Sequence, residues 1–141
     1  MATYKELGVW KESRVLYKQV YEAVCQLPSE EKYALSSQMR RAVISIPSNI
    51  AEGQGRGTVK DYIHFLYNAR GSAYELEAQL IACGDLSLVE KSILRSIYTQ
   101  NKKVIMMLNK LINALQGKAE VHQVSEEIKT YGTSEDVNLY L

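Results

Sequence analysis

The chain has 141 residues, enough for one domain, and 46% of them are hydrophobic, so it can bury a substantial core. Lysine and arginine total 17 against 16 acidic residues, and the net charge of +1 excludes a uniformly basic or acidic protein. No apolar run approaches the roughly 18 residues of a membrane span, no apolar signal region follows Met1, and two cysteines form no disulfide framework, so we expect a cytoplasmic protein.

The first half of the chain predicts two helices. Apolar residues at a 3–4 spacing predict the first helix over about residues 7–26, and Pro28 ends it. Ser29 is expected to cap the second helix, which has two glutamates in its first turn and runs to about residue 52. Pro47 lacks a backbone donor, so we expect it to bend or locally break this helix.

A glycine-rich loop, residues 53–57, separates the second helix from the third. Thr58 begins the third helix, with Asp61 three residues later as in a capping box. The apolar period continues to Cys83, and Gly84 closes the helix.

The fourth helix is predicted to begin at a second capping box, Ser87 to Glu90, and to stop at Gly117. A broad apolar stripe along it is typical of a bundle. Short loops between long helices favour antiparallel neighbours. The sequence therefore predicts an all-α, up-down-up-down four-helix bundle over residues 1–117.

The last segment, residues 118–141, differs from the bundle in charge. It holds five acids against Lys118 and Lys129, a local charge of −3, whereas residues 1–117 carry +4. Its apolar periodicity is weak. We therefore expect an acidic, mobile tail that screens the basic body.

Polar side chains recur at spacings of three or four on one face of the second helix and one face of the third. The set predicted to form a structural polar network comprises Gln38, Ser45, Asn49, Glu52, Ser72 and Glu75. We interpret it as a hydrogen-bonded network that fixes register between helices or between subunits. The alternative is a ligand or catalytic site in which Glu52 and Glu75 do acid–base work.

Metal and nucleotide sites receive little support from the sequence. Di-iron bundles use Glu-x-x-His twice, and Asp61 with His64 is the single comparable pair in the helical region, so we expect no metal. The loop at residues 53–57 lacks the Walker Lys-Ser/Thr and a preceding strand, so we expect no nucleotide cofactor. Its backbone donors, beside Arg56 and Lys60, suit one phosphate of a polymer, or the loop is a flexible turn.

Basic residues give the main functional signal. On the fourth helix, predicted outward positions hold Arg95, Lys102, Lys103 and Lys110. A second predicted cluster comprises Arg40, Arg41, Arg56 and Lys60. Lysine and arginine release counterions from phosphates, which gives nucleic-acid affinity without sequence preference. The alternative is a solvated helix face.

Several segments together resemble one bacterial family. They are Leu35-Ser-Ser-Gln-Met-Arg-Arg-Ala, Ser45-Ile-Pro-Ser-Asn-Ile-Ala-Glu-Gly53, Tyr62-x-x-Phe-Leu66 and Gly71-Ser-Ala-Tyr-Glu-Leu76. Over about residues 5–116 the chain resembles the four-helix bundle family named for intervening sequences of 23S ribosomal RNA. The resemblance implies a left-handed bundle.

Relatives of that family include the accessory proteins of diversity-generating retroelements. Those are similar in fold, form pentameric barrels and use a basic surface to engage nucleic acid and a reverse transcriptase. The resemblance therefore implies a homopentamer with RNA or DNA and a protein such as a reverse transcriptase as partners. It makes Arg40 and Arg41 candidate nucleic-acid contacts, and Asn49, Glu52 and Glu75 structural polar residues.

The sequence as a whole thus predicts a non-enzymatic, oligomeric helical bundle without cofactors. We expect it to bind RNA or DNA weakly through basic surfaces. The main alternative is a structural or protein-binding adaptor with no nucleic-acid role. An enzyme, the third hypothesis, requires a deep pocket around Glu52 and Glu75.

Overall fold

A computed structural model describes residues 2–31, 34–117 and 141. Over these residues the structure contains two short 3-10 turns, four long helices and no strand, which confirms the all-α prediction. The turns are Tyr4–Glu6 and Ser29–Glu31, and the helices are α1 (Gly8–Val24), α2 (Leu35–Gly55), α3 (Val59–Asp85) and α4 (Lys91–Gln116). In the described part of the chain, no helix is both long enough and apolar enough to cross a membrane.

Neighbouring helices contact each other in antiparallel order. Between α2 and α3, Ser45 meets Ser72 at mid-helix, and Gly53 meets Phe65 nearer the turn, so residue numbers rise on one helix as they fall on the other. The helices α3 and α4 are also antiparallel, because Ala73 contacts Asn101 and Arg70 contacts Asn109. The helices α1 and α4 follow the same order, because Glu12 contacts Gln100 and Gln19 contacts Ser96. The four helices therefore enclose one core.

The core is built from the apolar stripes of all four helices. Leu16, Ile46, Leu76 and Leu108 are fully buried, one from each helix, and Tyr98 is the largest fully buried side chain. Each buried side chain of this size stabilises the fold by roughly 1.5–3 kcal/mol relative to its exposed state. Packing of these stripes, more than helix propensity, holds the helices in place.

The beginning of α2 differs from the sequence prediction. Ser29 does not cap the helix; it opens the separate 3-10 turn Ser29–Glu31, in which the Glu31 amide donates to the Pro28 carbonyl at 2.9 Å. The helix begins at Leu35, after Ala34, whose side chain makes no capping hydrogen bond. A polar residue before acidic ones fits a tight turn as well as a helix start, and the sequence pattern does not separate the two.

Pro47 does not break α2, which continues from Leu35 to Gly55. Proline removes a single backbone donor, so the helix loses one hydrogen bond at this position. The proline ring is buried, so it also contributes apolar packing.

The predicted glycine loop is shorter than expected, because Gly53 and Gly55 belong to α2. Gly57 alone of the three adopts a positive φ, +87°, and forms the turn. Gly53 is buried, and a Cβ added there would lie 2.7 Å from the Phe65 Cβ and 3.2 Å from the Tyr62 carbonyl oxygen. Gly53 therefore serves the close approach of α2 to α3.

At the ends of α3 and α4, some of the predicted capping residues are confirmed and others are wrong. Thr58 caps α3, since its Oγ1 accepts from the Asp61 amide at 3.2 Å, and Gly117 ends α4 with φ +119°. Ser87 does not cap α4. It has φ +53° within the turn, its amide donates to the Gly84 carbonyl, and Glu90 is the residue that precedes α4.

The predicted acidic tail falls largely on residues 118–140, which lie outside the described residues. The final residue, Leu141, is buried among core side chains, with its Cδ2 atom beside Gly84.

Two glycines of the last turns of α2 allow a matched test of the helix contact. Gly53→Ala is expected to lower the free energy of unfolding by about 1–3 kcal/mol, because the new methyl group meets backbone and Cβ atoms of α3. Gly55→Ala is the control: a Cβ there meets nothing within 4 Å, so helix propensity should leave stability equal or raised by up to about 1 kcal/mol. Urea denaturation of both variants measures the difference, and equal stabilities would contradict the close approach.

Candidate nucleic-acid interface

The four basic residues predicted to cluster on α2 and α3 form two separate groups. Arg40 and Arg41 lie in the second turn of α2, whereas Arg56 follows its last residue and Lys60 lies in the first turn of α3. An α-helix rises 1.5 Å per residue, so Arg41 and Arg56 are about 22 Å apart along the axis. The prediction of one cluster is wrong, because α2 continues past Pro47 and separates the pairs.

Arg41 is the most accessible of the arginines that make ion pairs. Its side chain is 71% exposed, it donates to the Gln38 side-chain oxygen, and its Nη2 lies 3.6 Å from the Glu75 Oε1. Exposed ion pairs contribute about 0–1 kcal/mol, so a phosphate can replace Glu75 at little cost. Arg40 beside it is half-buried.

Arg56 and Lys60 flank the turn between α2 and α3. The Arg56 Nη2 lies 2.9 Å from the Glu52 Oε1, and its guanidinium lies 4.9 Å from the centre of the Phe65 ring. Lys60 is exposed at the start of α3, where the helix dipole favours an anion. This turn therefore places two cations beside the N-terminal end of α3.

On α4, Lys102 does not point outward as predicted. Its side chain is 7% exposed, and its Nζ donates to the Glu77 Oε2 at 2.9 Å. The ammonium lies 5.3 Å from the centre of the Tyr98 ring, and the Tyr98 hydroxyl donates to the other Glu77 oxygen at 3.3 Å. Lys102 is thus part of a buried ion pair between α3 and α4. The prediction that Lys102 lies on the basic surface is wrong.

The reason for this burial is the width of the α4 face that packs on α3. Asn109, one heptad beyond Lys102, is also buried and accepts from Arg70 Nη1 at 3.0 Å. Asn101 donates to the Ala73 carbonyl at 2.9 Å. The sequence analysis missed the polar partners Glu77 and Arg70 on α3. They are an acid and a base at heptad spacing, and that spacing is the signal that could have predicted the polar contacts between α3 and α4.

The other predicted cations of α4, Arg95, Lys103 and Lys110, are exposed. Lys103 contacts α1, where its Nζ donates to the Glu12 Oε1 at 3.1 Å, and Gln100 donates to the other oxygen at 2.7 Å. The hydrogen bonds from Gln100 and then Lys103 lower the pKa of Glu12 below its ordinary value of 4.5. Lys103 therefore helps to hold α1 against α4 while remaining accessible.

The structure brings part of the predicted polar network together between α2 and α3. The Ser72 hydroxyl donates to the Ser45 hydroxyl at 2.8 Å, and Asn49 Nδ2 donates to the Ser45 carbonyl at 2.8 Å and its hydroxyl at 2.9 Å. Gln38 and Glu75 both contact Arg41 at one end of this interface.

Glu52 does not join that network. It pairs with Arg56 beside the turn, whereas Glu75 lies toward the opposite end of the α2–α3 interface with Arg41. The two carboxylates are therefore not placed to act as an acid–base pair on one substrate atom. His64 is exposed and packs edge-on against Phe65, with ring centres 5.6 Å apart.

A second feature that sequence reasoning missed lies between α1 and α2. A groove of about 570 Å³ opens there, and its walls include four aromatic side chains. Trp10 and Tyr17 have the helical spacing of core residues on α1, but both are half-buried and line the open groove.

Comparison with known proteins gives one family. The family model described as 23S rRNA-intervening sequence protein matches residues 5–110, most of the four-helix region. No curated protein matches the chain.

Neighbouring lysines on α4 provide a test of the buried ion pair. Lys102→Met should lower the free energy of unfolding by about 3 kcal/mol, because it leaves the largely buried Glu77 carboxylate without its cation. Lys103→Met, the control, removes a half-exposed ion pair and should change stability by about 1 kcal/mol or less. Chemical denaturation compares the two. A Lys102 variant as stable as the Lys103 variant would contradict the buried pair.

Proposed function

Because the chain belongs to the family of 23S rRNA-intervening sequence proteins, we propose that it is a non-enzymatic, oligomeric four-helix bundle that binds RNA or DNA without sequence preference. In this proposal the bundle is left-handed with up-down-up-down order, and the antiparallel contacts of neighbouring helices support that order. We place the protein in the cytoplasm, where its thiols Cys25 and Cys83 stay reduced.

The observation that carries the proposal is the accessibility of the predicted cations. Six of the eight are exposed: Arg41, Arg56, Lys60, Arg95, Lys103 and Lys110. Three of these make ion pairs with carboxylates, and the carboxylates of Glu52 and Glu75 are themselves about half exposed. Such pairs are weak enough for a polyanion to compete with them. The exposed cations can therefore neutralise phosphates, which is the source of sequence-independent binding.

The homo-oligomer in the proposal, a pentamer by the family resemblance, is supported by the outer face of α3. Gly71 lies in the middle of this 27-residue helix, is exposed, and would accept a Cβ with no atom within 4 Å. Glycine at such a site costs about 1 kcal/mol relative to alanine. Tyr67 and Tyr74, each 39% exposed, flank it. A small residue between two exposed aromatic ones suits close contact with another copy.

The alternative function, a structural or protein-binding adaptor with no nucleic-acid role, is favoured by the same ion pairs. Arg56 and Lys103 already have carboxylate partners in the monomer, which reduces the net positive field on those faces. The two functions differ in whether nucleic acid binds the exposed cations. The dependence of binding on salt and on nuclease treatment distinguishes them.

Removal of charge from the exposed cations tests nucleic-acid binding. Replacing Arg41, Arg56 and Lys60 by glutamine should weaken binding to duplex DNA of different sequences by a similar factor, because phosphate contacts do not read bases. The slope of log K against log salt should flatten by about 0.9 for each lost phosphate contact. Filter binding or fluorescence anisotropy over a salt series measures both quantities.

A second variant carries glutamine at Arg95, Lys103 and Lys110, and shows whether α4 contributes more than the α2–α3 surface. Lys102→Met is the matched control, since a buried lysine should not alter the salt slope. If both triple variants keep wild-type affinity with an intact helical signal, the adaptor function replaces this proposal.

The assembly is tested by light scattering coupled to gel filtration. At micromolar concentration we expect a mass five times that of the 16.0 kDa chain. Gly71→Trp should reduce this mass to that of the single chain without loss of helical signal, because the position is open within one chain. A wild-type protein that elutes as a monomer would refute the oligomer.

A further inference from the structure

The groove between α1 and α2 has one aromatic wall and one aliphatic wall. We call it the aromatic groove. The aromatic residues are Tyr4, Trp10, Tyr17 and Tyr21, and the opposite wall holds Ile44, Pro47, Ser48 and Ala51. Tyr21 is 42% exposed and Ile44 is 38% exposed, and the Tyr4 and Trp10 rings pack edge-to-face with centres 5.0 Å apart. Large apolar surfaces left open in this way mark sites of binding.

Cations accompany the aromatic rings. Lys18 lines the groove, the Arg14 guanidinium lies 5.3 Å from the centre of the Trp10 ring, and the Lys5 ammonium lies 6.0 Å from the centre of the Tyr4 ring. Among the described residues that line the groove, none is acidic. The groove therefore combines π faces with positive charge, and none of the cations assigned above to phosphate binding lines it.

The spacing of the rings along α1 suits successive bases. Trp10, Tyr17 and Tyr21 lie on one side of the helix, and the rise of 1.5 Å per residue puts the first and last about 16 Å apart. Strands of nucleic acid without a partner bind by stacking bases on such aromatic side chains while cations follow the backbone. A duplex hides its base faces, so it cannot use the rings in this way.

From this arrangement we propose that the aromatic groove binds unpaired bases of single-stranded RNA or DNA. The bases stack on Trp10, Tyr17 and Tyr21, and the phosphates contact Arg14 and Lys18. The inference rests on the proposed function and adds to it a site that discriminates single strands from duplexes. The flanking cations favour this occupant over an apolar peptide, which does not need them.

The single tryptophan of the chain makes the site directly observable. Because Trp10 is the only tryptophan, its fluorescence reports on this groove alone. Titration of the full chain with oligothymidylate should quench the emission to saturation, whereas a duplex of the same length should bind with little quenching. Fluorescence anisotropy of a labelled oligonucleotide measures total binding in parallel.

Two variants and one control separate the groove from the other cations. Tyr21→Ala should weaken single-strand binding about tenfold, since one stacked base is lost, and leave duplex binding unchanged. Lys18→Gln should flatten the salt slope for single strands by about 0.7. Val15→Ala removes an apolar side chain of similar exposure, 45%, from α1 outside the lining of the groove, and it should leave single-strand affinity at the wild-type value.

The possible outcomes are distinct. If anisotropy shows binding but Trp10 is not quenched and Tyr21→Ala has no effect, the groove inference is wrong and the proposed function stands. If neither single strands nor duplexes bind, both are wrong. If Tyr21→Ala changes the mass in light scattering, or a proline-rich peptide displaces the oligonucleotide, the groove is an interface for protein and the inference is overturned.

Discussion

The close approach of α2 to α3 is the constraint on which the polar surface of the bundle depends. Because Gly53 has no side chain, the α2 backbone packs directly against Tyr62 and Phe65 of α3, and the small hydroxyls of Ser45 and Ser72 touch at 2.8 Å. Longer charged side chains do not fit in this seam. They occupy its two ends, where Arg41 meets Glu75 and Arg56 meets Glu52, and both pairs remain open to solvent. The accessible arginines are thus a consequence of how tightly the helices pack.

The interface between α3 and α4 differs from that between α2 and α3, because it buries charged side chains. Lys102, Glu77 and Tyr98 satisfy one another there, so the cost of removing each polar group from water is offset by a partner. Asn109 and Arg70 form a second polar contact on the same seam. A buried polar pair is satisfied in one register only, so these contacts fix how α4 is positioned along α3.

The periodicity of the sequence predicted the four helices, and Thr58 and Gly117 marked two of their ends correctly. It did not predict the end of α2 or the burial of Lys102. Helix ends that rest on a single polar residue, such as Ser29 and Ser87, are ambiguous, since the same residues also form turns. Lys102 lies beside the apolar stripe, and whether such a position is buried depends on the helix opposite. Six of the eight predicted cations are therefore exposed, whereas the burial of Lys102 and the separation of the Arg40–Arg41 pair from Arg56 and Lys60 differ from the prediction.

The aromatic groove is a second case in which helical spacing did not predict burial. Trp10 and Tyr17 have core spacing on α1, yet both line an open groove whose opposite wall includes Pro47 and Ala51 of α2. A bundle of short loops and packed helices thus leaves two kinds of positive surface. Exposed cations on α2, α3 and α4 can contact any phosphate, whereas the α1 cations lie against aromatic faces. Because only unpaired bases can stack on those faces, the binding that we propose at the second surface prefers single strands, a preference that charge alone does not provide.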